Sequence, residues 1–270
     1  MNNENNSDSP PKEYSYHSHL PPKNVERLYQ SISAGKITDV YTAKCEAACG
    51  DISLHEWTKY QPKLSILLAT VENRAEQFSK LHAEFKRQAE GKSVEIIVAC
   101  DNKQISIGKK RDNLLRAASG DYILFADDDD WISPDYVDKI LAALETSPDC
   151  VGFLFECSRD GRKYGMAKVS LRYRAWADNV DGYKHVRNPH HKVPVKREIA
   201  LAVGFPDMRY GEDKVYSDGI LPYLKTEVFI NEALYFYRFS NKEPFHLKYG
   251  TNRRHTKGID FNYKRKPFFN

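Results

Sequence analysis

The stretch Gly120-Asp121-Tyr122-Ile123-Leu124-Phe125-Ala126-Asp127-Asp128-Asp129-Asp130-Trp131 places four consecutive carboxylates directly after an apolar run. The apolar part, Tyr122–Ala126, is typical of a buried strand, and Ser133-Pro134 is expected to begin a helix with proline at its preferred first position. Carboxylates this close together repel one another, so the group needs a cation or full solvation. The stretch therefore predicts a metal site at the carboxyl end of a strand, where open α/β sheets bind their ligands.

Strand and helix patterns alternate on both sides of this stretch. Leu64–Thr70 and Val94–Cys100 are short β-type runs before it, and Val151–Phe155 is a further run after it. Helical spacing of apolar residues follows Asn73 and Ser106, and each of these two residues is expected to cap its helix. The alternation predicts an α/β fold with a Rossmann-like, mostly parallel sheet flanked by helices.

The second half of the chain has a weaker pattern and is expected to form a mixed sheet. The expected elements are a hairpin or edge strand over Lys163–Trp176, a loop over Asp181–Val193, a helix over Val195–Val203 closed by Gly204, a helix from Gly211 to about Leu221, and two short strands, Glu227–Ile230 and Ala233–Arg238, joined at Asn231-Glu232. The sequence shows no internal repeat.

Composition divides the chain into four predicted segments. They are a disordered or surface tail over residues 1–23, an N-terminal helical extension over 24–63, the main α/β domain over 64–241, and a basic aromatic tail over 242–270. The last segment contains eight Lys or Arg and two acids. Its composition fits either a polyanionic partner or a solvated tail packed by its aromatic rings.

The N-terminal extension is expected to contain helices over Val25–Gly35 and Ala43–Cys49. Cys45 and Cys49, with His55, make half of a zinc site without a convincing second half, and the five scattered cysteines favour reduced thiols. The N-terminus lacks the features of a signal peptide, and no apolar run is long enough to cross a membrane. We therefore expect a soluble protein of the cytoplasm, or of the host cytoplasm if the chain is encoded by a phage.

The polar residues at the predicted strand ends favour a nucleotide ligand. A site built only from oxygen ligands suits Mg²⁺ or Mn²⁺, and either ion can bridge a diphosphate. A P-loop kinase and a Rossmann dehydrogenase are disfavoured because neither glycine-rich loop follows a strand. A calcium EF-hand is excluded because Trp131 occupies a ligand position and the central glycine is absent.

Four segments, taken in order, resemble glycosyltransferase family 2, whose members have the GT-A fold. They are Ser65–Arg74, Glu95–Asp101, Gly120–Trp131 and Gly211–Asp213. The resemblance extends from about Leu64 to about Arg238, while residues 1–60 and the C-terminal tail lie outside it. The weaker second half then corresponds to the acceptor side of the enzyme.

The resemblance implies a role for each matching residue. Thr70 and Asp101 match the contacts to the nucleotide base, Asp127 matches the contact to the ribose, Asp129 matches the metal ligand, and Asp213 matches the general base. Further candidates are Arg74, Arg111 and Asp128 for the nucleotide sugar, Trp176, His191 and Glu212 on the acceptor side, and His246 as an additional metal ligand.

Two segments depart from the family pattern. Ala69-Thr70-Val71-Glu72 replaces the commoner Pro-Thr-Tyr-Asn, and Cys100-Asp101-Asn102-Lys103 replaces the commoner Asp-Asp-Gly-Ser. Both changes affect the expected base pocket, and hence the choice of nucleotide.

The implied activity is a metal-dependent, inverting transfer from a nucleotide sugar, with a UDP-sugar favoured, to a hydroxyl acceptor. The acceptor is either a glycan or a hydroxymethylated base in DNA. The basic tail and the absence of a membrane anchor favour the DNA acceptor. One alternative is an inactive GT-A domain that binds nucleic acid or a glycan. Another is a sugar-phosphate nucleotidyltransferase, although the chain lacks its glycine-rich loop near the first strand.

Simpler structural roles stand beside these functional ones. Asp128 and Asp130 would then cap the next helix or face water, and Asp213 would be only a helix N-cap. The pair His190-His191 would lie on a surface loop, and so would His246. Trp176 would then belong to the core rather than to a sugar platform.

Overall fold

The computed structural model describes residues 62–239 and the backbone of two earlier strands. The strands are β1 (His17–Ser18), β2 (Val40–Lys44), β3 (Leu64–Val71), β4 (Val94–Asp101), β5 (Tyr122–Asp127), β6 (Trp131–Ile132), β7 (Cys150–Arg159), β8 (Arg162–Val169), β9 (Ala177–Val180), β10 (Tyr183–Arg187), β11 (Val195–Lys196) and β12 (Glu227–Phe239). The helices are α1 (Ala75–Ala89), α2 (Ile107–Ala117), α3 (Tyr136–Leu144), α4 (Arg197–Val203) and α5 (Glu212–Ile220).

One mixed sheet contains all the described strands, and its central long strands run in the same direction. β3 pairs in parallel with β4 on one side and β5 on the other. The short β11 is inserted antiparallel between β5 and β7, so β7 has the direction of β5, and β12 pairs in parallel with β7. The predicted α/β fold, with helices flanking a largely parallel central sheet, is confirmed.

The helices cover both faces of this sheet because successive strand residues point to opposite sides. Ile66 and Leu68 of β3 belong to one buried cluster, which α1 and α3 complete. Leu67, between them, belongs to a second buried cluster, which α2, α4 and α5 complete. The apolar run of β3 is therefore continuous, as is typical of a strand buried on both faces.

Two sequence predictions about helix starts are settled by the hydrogen bonds. Ser106 caps α2 as expected, since its Oγ accepts from the Lys109 amide at 3.0 Å. The prediction for Asn73 is wrong, because this residue lies in a short 3₁₀ turn and α1 begins at Ala75 without a side-chain cap.

The helix predicted from Ser133-Pro134 begins later, at Tyr136. Ser133 is held in a turn before the helix, where its carbonyl accepts from Gln88 Nε2 at 2.8 Å. The same glutamine accepts from the Val137 amide at 3.0 Å. A side chain of α1 therefore supplies the hydrogen bond that an N-cap residue would have made.

The loop predicted over Asp181–Val193 is wrong in its first part, because residues 183–187 form β10. Val180 pairs with Tyr183, and both residues between them have positive φ, 52° at Asp181 and 78° at Gly182. This is a two-residue hairpin turn, for which Asp-Gly is a favoured sequence. The signal was present in the sequence, but the alternation around it was too short to reveal the strands.

Other boundaries also change. Val195–Lys196 pairs with β5 and β7, so the helix expected from Val195 begins only at Arg197. The two strands expected after Glu227 are one strand, β12, with shifts of register between Ile230 and Tyr235. The hairpin or edge strand expected over Lys163–Trp176 is instead one strand, β8, which pairs with β7 on one side and β10 on the other.

Ala43 and Lys44 lie in β2, so the helix predicted from Ala43 is wrong at its start. The helix over Val25–Gly35, the half zinc site, the C-terminal tail and His246 lie outside the described residues. Within them, Cys150 and Cys157 are free thiols, and no helix is long and apolar enough to cross a membrane. The four domain boundaries stay predictions.

Gly120 is expected to be essential for stability, because a Cβ at this position would lie 2.6 Å from Ser65 Oγ and 2.7 Å from the Ser65 amide. We expect Gly120→Ala to lower the free energy of unfolding by about 3 kcal/mol, or the melting temperature by roughly 8 °C. Gly161→Ala is the control, because its new Cβ has no neighbour and its only cost is backbone strain at a φ of +78°, about 1 kcal/mol. Equal losses in thermal denaturation would contradict the steric explanation.

Candidate active site

The predicted polar strand ends meet at one edge of the sheet. In the register of the parallel strands, Thr70 pairs with Cys100, next to Asp101, and Ala69 pairs with Asp127. The carboxyl ends of β3, β4 and β5 therefore stop at nearly the same level. The four aspartates predicted from the sequence follow directly from the end of β5.

Asp128 is buried against the end of β3. Its Oδ2 accepts from the Thr70 hydroxyl at 2.8 Å, and its Oδ1 accepts from Arg74 Nη1 at 2.7 Å. The structure therefore brings together three of the predicted nucleotide-sugar residues. Asp128 neither faces water nor caps the next helix.

Asp130 is also buried, at 3% exposure. Its Oδ2 accepts from Lys192 Nζ at 2.6 Å and from the Tyr235 hydroxyl at 2.7 Å, and its Oδ1 accepts from the Arg238 amide at 2.8 Å. The helix-cap and solvent-facing alternatives are wrong for this residue too. Asp130 instead ties the end of β12 to the acidic cluster.

Asp127 lies between two buried cations. Arg111 Nη2 is 2.6 Å from its Oδ1, and Lys192 Nζ is 2.7 Å from its Oδ2. Burial alone would raise the pKa of this carboxyl, but Lys192 and Arg111 hold the pKa well below its usual range. Asp127 is therefore ionised and firmly oriented.

Asp129 is the member of the cluster with the weakest compensation. Its nearest cation among the described residues is Arg74, 3.5 Å away, and its side chain is 42% exposed. Desolvation and the charges of the three neighbouring aspartates raise its pKa to about 7. Single oxygens of Asp127, Asp129 and Asp130 all lie within 4.8 Å of one another. An oxygen-rich cluster with one weakly paired carboxylate fits a divalent cation.

Asp101 is fully buried beneath Lys110. The ammonium of Lys110 forms a short ion pair with Asp101 Oδ1 and donates to the Thr70 carbonyl at 2.7 Å. Asp101 Oδ2 also accepts from the Ile105 amide at 3.2 Å. In this conformation Asp101 fixes the loop after β4 and joins it to the end of β3.

Arg111 connects the acidic cluster to the start of α5. While Nη2 of Arg111 contacts Asp127, its Nη1 forms a short ion pair with Glu212. Gly108, one helical turn earlier, allows this approach, because a Cβ there would lie 2.0 Å from the Pro206 carbonyl. The close packing of α2 on the loop before α5 thus sets the position of Glu212.

The beginning of α5 presents two carboxylates of different character. Gly211, with a φ of 83°, is the N-cap, so Asp213 is not the capping residue. Glu212 is buried, and desolvation raises its pKa to about 7, opposed by Arg111 and reinforced by Asp213. Asp213 is half-buried and accepts from the Lys214 amide at 2.8 Å, which leaves its second oxygen available for a ligand.

His190 and His191 are buried, so the surface-loop interpretation is wrong. The Phe125 amide donates to the His191 carbonyl at 2.7 Å, which holds this segment along β5. His191 Nε2 lies 3.8 Å from Asp127 Oδ1, and neither ring nitrogen has a hydrogen-bond partner among the described residues. Desolvation lowers its pKa to about 4, so the ring is neutral at pH 7.

Trp176 lies on the acceptor side, half-buried against α5. Its Nε1 donates to Ser217 Oγ at 3.2 Å. The ring has Arg187 Cζ 5.0 Å and Lys214 Nζ 5.7 Å from its centroid, and it contacts His190 at 5.9 Å between ring centroids. The indole is therefore anchored by its nitrogen and flanked by cations.

Three site residues had no signal in the sequence: Lys110, Lys192 and Tyr235. Each is a single residue outside a recognisable motif, and each reaches the cluster only through tertiary structure.

A cavity of about 460 Å³ also opens beside the cluster, lined by Asn73, Arg74, Glu76, Gln77, Lys80, Asp130, Trp131 and Arg238.

A comparison with protein-family models gives a match. The model described as "Glycosyl transferase family 2" matches residues 84–204. This range includes the acidic cluster, Lys110 and Lys192, whereas Thr70, Arg74 and Asp213 lie outside it. A search of curated proteins found no match.

Several solved structures are similar to this chain. TarS from S. aureus is 15% identical with a TM-score of 0.51, covering 65% of this chain and 36% of TarS. TarS 1-349 in complex with UDP-GlcNAc is 13% identical with a TM-score of 0.48, covering 69% and 60%. The mannosyltransferase PcManGT from Pyrobaculum calidifontis, in complex with GDP-Man and Mn²⁺, is 13% identical with a TM-score of 0.40, covering 66% and 57%.

These similarities concern the fold. The chain spans less than two thirds of the length of each TarS structure that it matches. The full TarS structure, with the highest TM-score of these, supports the same arrangement of sheet and helices.

Lys192 is expected to hold the acidic cluster together. Lys192→Met would leave Asp127 and Asp130 buried without their shared cation, and we expect it to lower the free energy of unfolding by about 3 kcal/mol at pH 8. Lys139→Met is the matched control, since Lys139 also contacts two carboxylates but at the surface, where solvent screens the ion pairs and the loss should be much smaller. Similar midpoints in urea denaturation for both variants would contradict the assignment.

Glu212 is expected to make stability depend on pH. A raised pKa in the folded state means that its stabilising contribution is complete below about pH 4.5 and is lost as the pH rises to about 7. Between pH 5 and pH 8 the wild type should lose stability as Glu212 ionises. Glu212→Gln cannot titrate, so its free energy of unfolding should fall by about 2 kcal/mol less over the same pH range. The exposed Glu76→Gln serves as control. Parallel curves for Glu212→Gln and the wild type would contradict this prediction.

Proposed function

We propose that this chain, whose residues 84–204 belong to glycosyltransferase family 2, transfers a sugar from a nucleoside diphosphate sugar to a hydroxyl group with inversion. One observation carries the proposal. Asp129, the aspartate with the weakest cation contact, and the half-buried carboxylate Asp213 are joined through Asp127, Arg111 and Glu212 into one site at the strand ends. This arrangement supports a donor site beside a general base.

A divalent cation, Mn²⁺ or Mg²⁺, fits the acidic cluster. Lys192 already neutralises the facing oxygens of Asp127 and Asp130, so Asp129 is the carboxylate that would hold the ion, together with donor oxygens and water. When bound, the ion would offset the negative charge that grows on the departing diphosphate. The excess of carboxylate charge around Asp129, seen in its raised pKa, supports this assignment.

The proposed donor is a UDP-sugar held at the ends of β3, β4 and β5. Thr70 and Asp101 flank the place expected for the base, and Asp127 is expected beneath the ribose. Arg74 is 36% exposed and contacts Asp128 and Asp129, so it is available to a phosphate of the donor. The basic residues of the neighbouring cavity, Lys80 and Arg238, add to the positive potential there.

Asp213 is the proposed general base. It takes the proton of the acceptor hydroxyl as that oxygen forms a bond to the anomeric carbon. The bond from this carbon to the diphosphate breaks on the opposite side, and the electron pair leaves with the diphosphate. Configuration at the carbon is thereby inverted.

Glu212 and Arg111 are proposed to position this base. Arg111 fixes Glu212 and Asp127 at a set distance, and Asp213 follows Glu212 directly in α5. Trp176 and His191 complete the acceptor side. The acceptor is a hydroxyl of a glycan or of a hydroxymethylated base in DNA.

Two variants separate the donor and base roles. Asp129→Asn should abolish the Mn²⁺-dependent part of donor binding, measured by calorimetry with UDP-sugars. Asp213→Asn should bind the donor normally, while UDP release in the presence of acceptor falls by roughly 10³-fold. The panel contains several UDP-sugars, each tested with Mn²⁺, with and without hydroxymethylated DNA or glycan.

Asp138→Asn is the control for both variants, because Asp138 is an exposed carboxylate of α3. It should leave donor binding and UDP release unchanged. If transfer survives in Asp129→Asn and in Asp213→Asn, the proposed transferase mechanism is wrong.

A further inference from the structure

Positive charge is concentrated in one part of the described sheet. From Arg159 to Arg187 the chain carries eight Lys or Arg and three Asp. The other continuously described residues, 62–158 and 188–239, contain five more acids than bases. The segment forms the end of β7 with β8, β9 and β10, and β10 pairs with both β8 and β9. We call this region, residues 159–187, the basic sheet surface.

Internal ion pairs neutralise only part of this charge. Asp181 pairs with Arg172 at 3.4 Å, and Asp178 pairs with Arg187 at 2.9 Å. Lys163 also forms an ion pair. Among the described residues, no carboxylate forms an ion pair with the other five bases, Arg159, Arg162, Lys168, Arg174 and Lys184. Five cations are thus left for an external anion. They line both faces of this end of the sheet, because Lys168 alternates with the core residues Ala167 and Val169, whereas Tyr164, beside Arg159, packs on the core side.

Aromatic rings stand beside these cations. Arg159 Cζ lies 5.3 Å from the ring centroid of Tyr164, and Lys168 Nζ lies 5.5 Å from that of Tyr183. Lys168 is also 4.5 Å from the ring of Phe229 in β12. The rings are half-buried rather than enclosed. A surface that pairs cations with partly exposed rings offers both charge and stacking to a ligand.

We propose that the basic sheet surface binds single-stranded nucleic acid. Its cations suit successive phosphates, and its rings suit unpaired bases, whose faces are hidden inside a duplex. An acidic glycan would also use the charges, but its sugar rings stack on aromatic faces only through C–H groups, whereas a planar base stacks face to face. The paired arrangement of ring and cation therefore favours nucleic acid.

The basic sheet surface leads directly to the acceptor side. Arg187, the last residue of β10, lies over Trp176 at 5.0 Å, and Trp176 contacts His190 at 5.9 Å. The neighbouring His191 lies 3.8 Å from Asp127. Lys214, the residue after the proposed base Asp213, also lies 5.7 Å from the Trp176 ring, so a strand bound here would approach the acceptor side. The further idea that the bound strand is the sugar acceptor rests on the proposed function. The binding of the strand to the basic sheet surface does not.

Fluorescence anisotropy with a fluorescein-labelled 20-mer of thymidine tests the proposal on the full chain. The triple variant Arg162→Gln, Lys168→Gln and Arg174→Gln should bind roughly tenfold or more weakly. Its plot of log affinity against log salt concentration should be shallower by about 2, at about 0.7 per lost phosphate contact. The control triple Lys86→Gln, Lys92→Gln and Lys225→Gln removes the same charge elsewhere and should change both values little.

Stacking is tested separately from charge. Tyr183→Leu should weaken binding of the oligonucleotide roughly tenfold and leave competition by inorganic polyphosphate unchanged. If the control triple weakens binding as much as the first triple, the surface is wrongly located. If Tyr183→Leu has no effect and polyphosphate competes equally per charge, the site is a general polyanion site and the nucleic-acid assignment fails.

The same assay separates this inference from the proposed function. Asp129→Asn and Asp213→Asn should bind the oligonucleotide like the wild type. A protein that binds the strand through the basic sheet surface but shows no UDP release would retain this inference and overturn the transferase mechanism. The reverse result would overturn this inference alone.

Discussion

The repulsion among four adjacent aspartates is the constraint on which the site depends. A chain can fold around such a cluster only if cations or hydrogen-bond donors reach most of its oxygens. Lys192, Arg111 and Arg74 supply these contacts from three different parts of the sequence. They leave Asp129 as the carboxylate with the least compensation, so the fold itself selects which acid is free to take an external cation.

Much of the fold could be predicted from the sequence because it depends on local patterns. The continuous apolar runs of β3, β4 and β5 identified buried parallel strands, and the polar residues after each run marked the edge where they meet. The capping role of Ser106 was equally local. Predictions failed where long-range pairing overrode local preference, as at β12, which continues through Asn231-Glu232 because it pairs with β7 over most of its length.

The candidate site was only half visible in the sequence. Consecutive aspartates are conspicuous, but their partners are not, because nothing near Lys192 distinguishes it from a surface lysine. It reaches Asp130 across 62 residues, and Tyr235 does so across 105. The burial of His190 and His191 was missed for the same reason, since it depends on how residues 190–193 pack along β5.

The contact between the Arg238 amide and Asp130 also bears on how the protein is made. β12 lies near the end of the described chain and closes the cluster by a backbone hydrogen bond across 108 residues. During synthesis, the aspartates leave the ribosome long before this strand exists. Loops this long close late in folding. The nascent protein thus acquires its ordered acidic centre only as β12 docks.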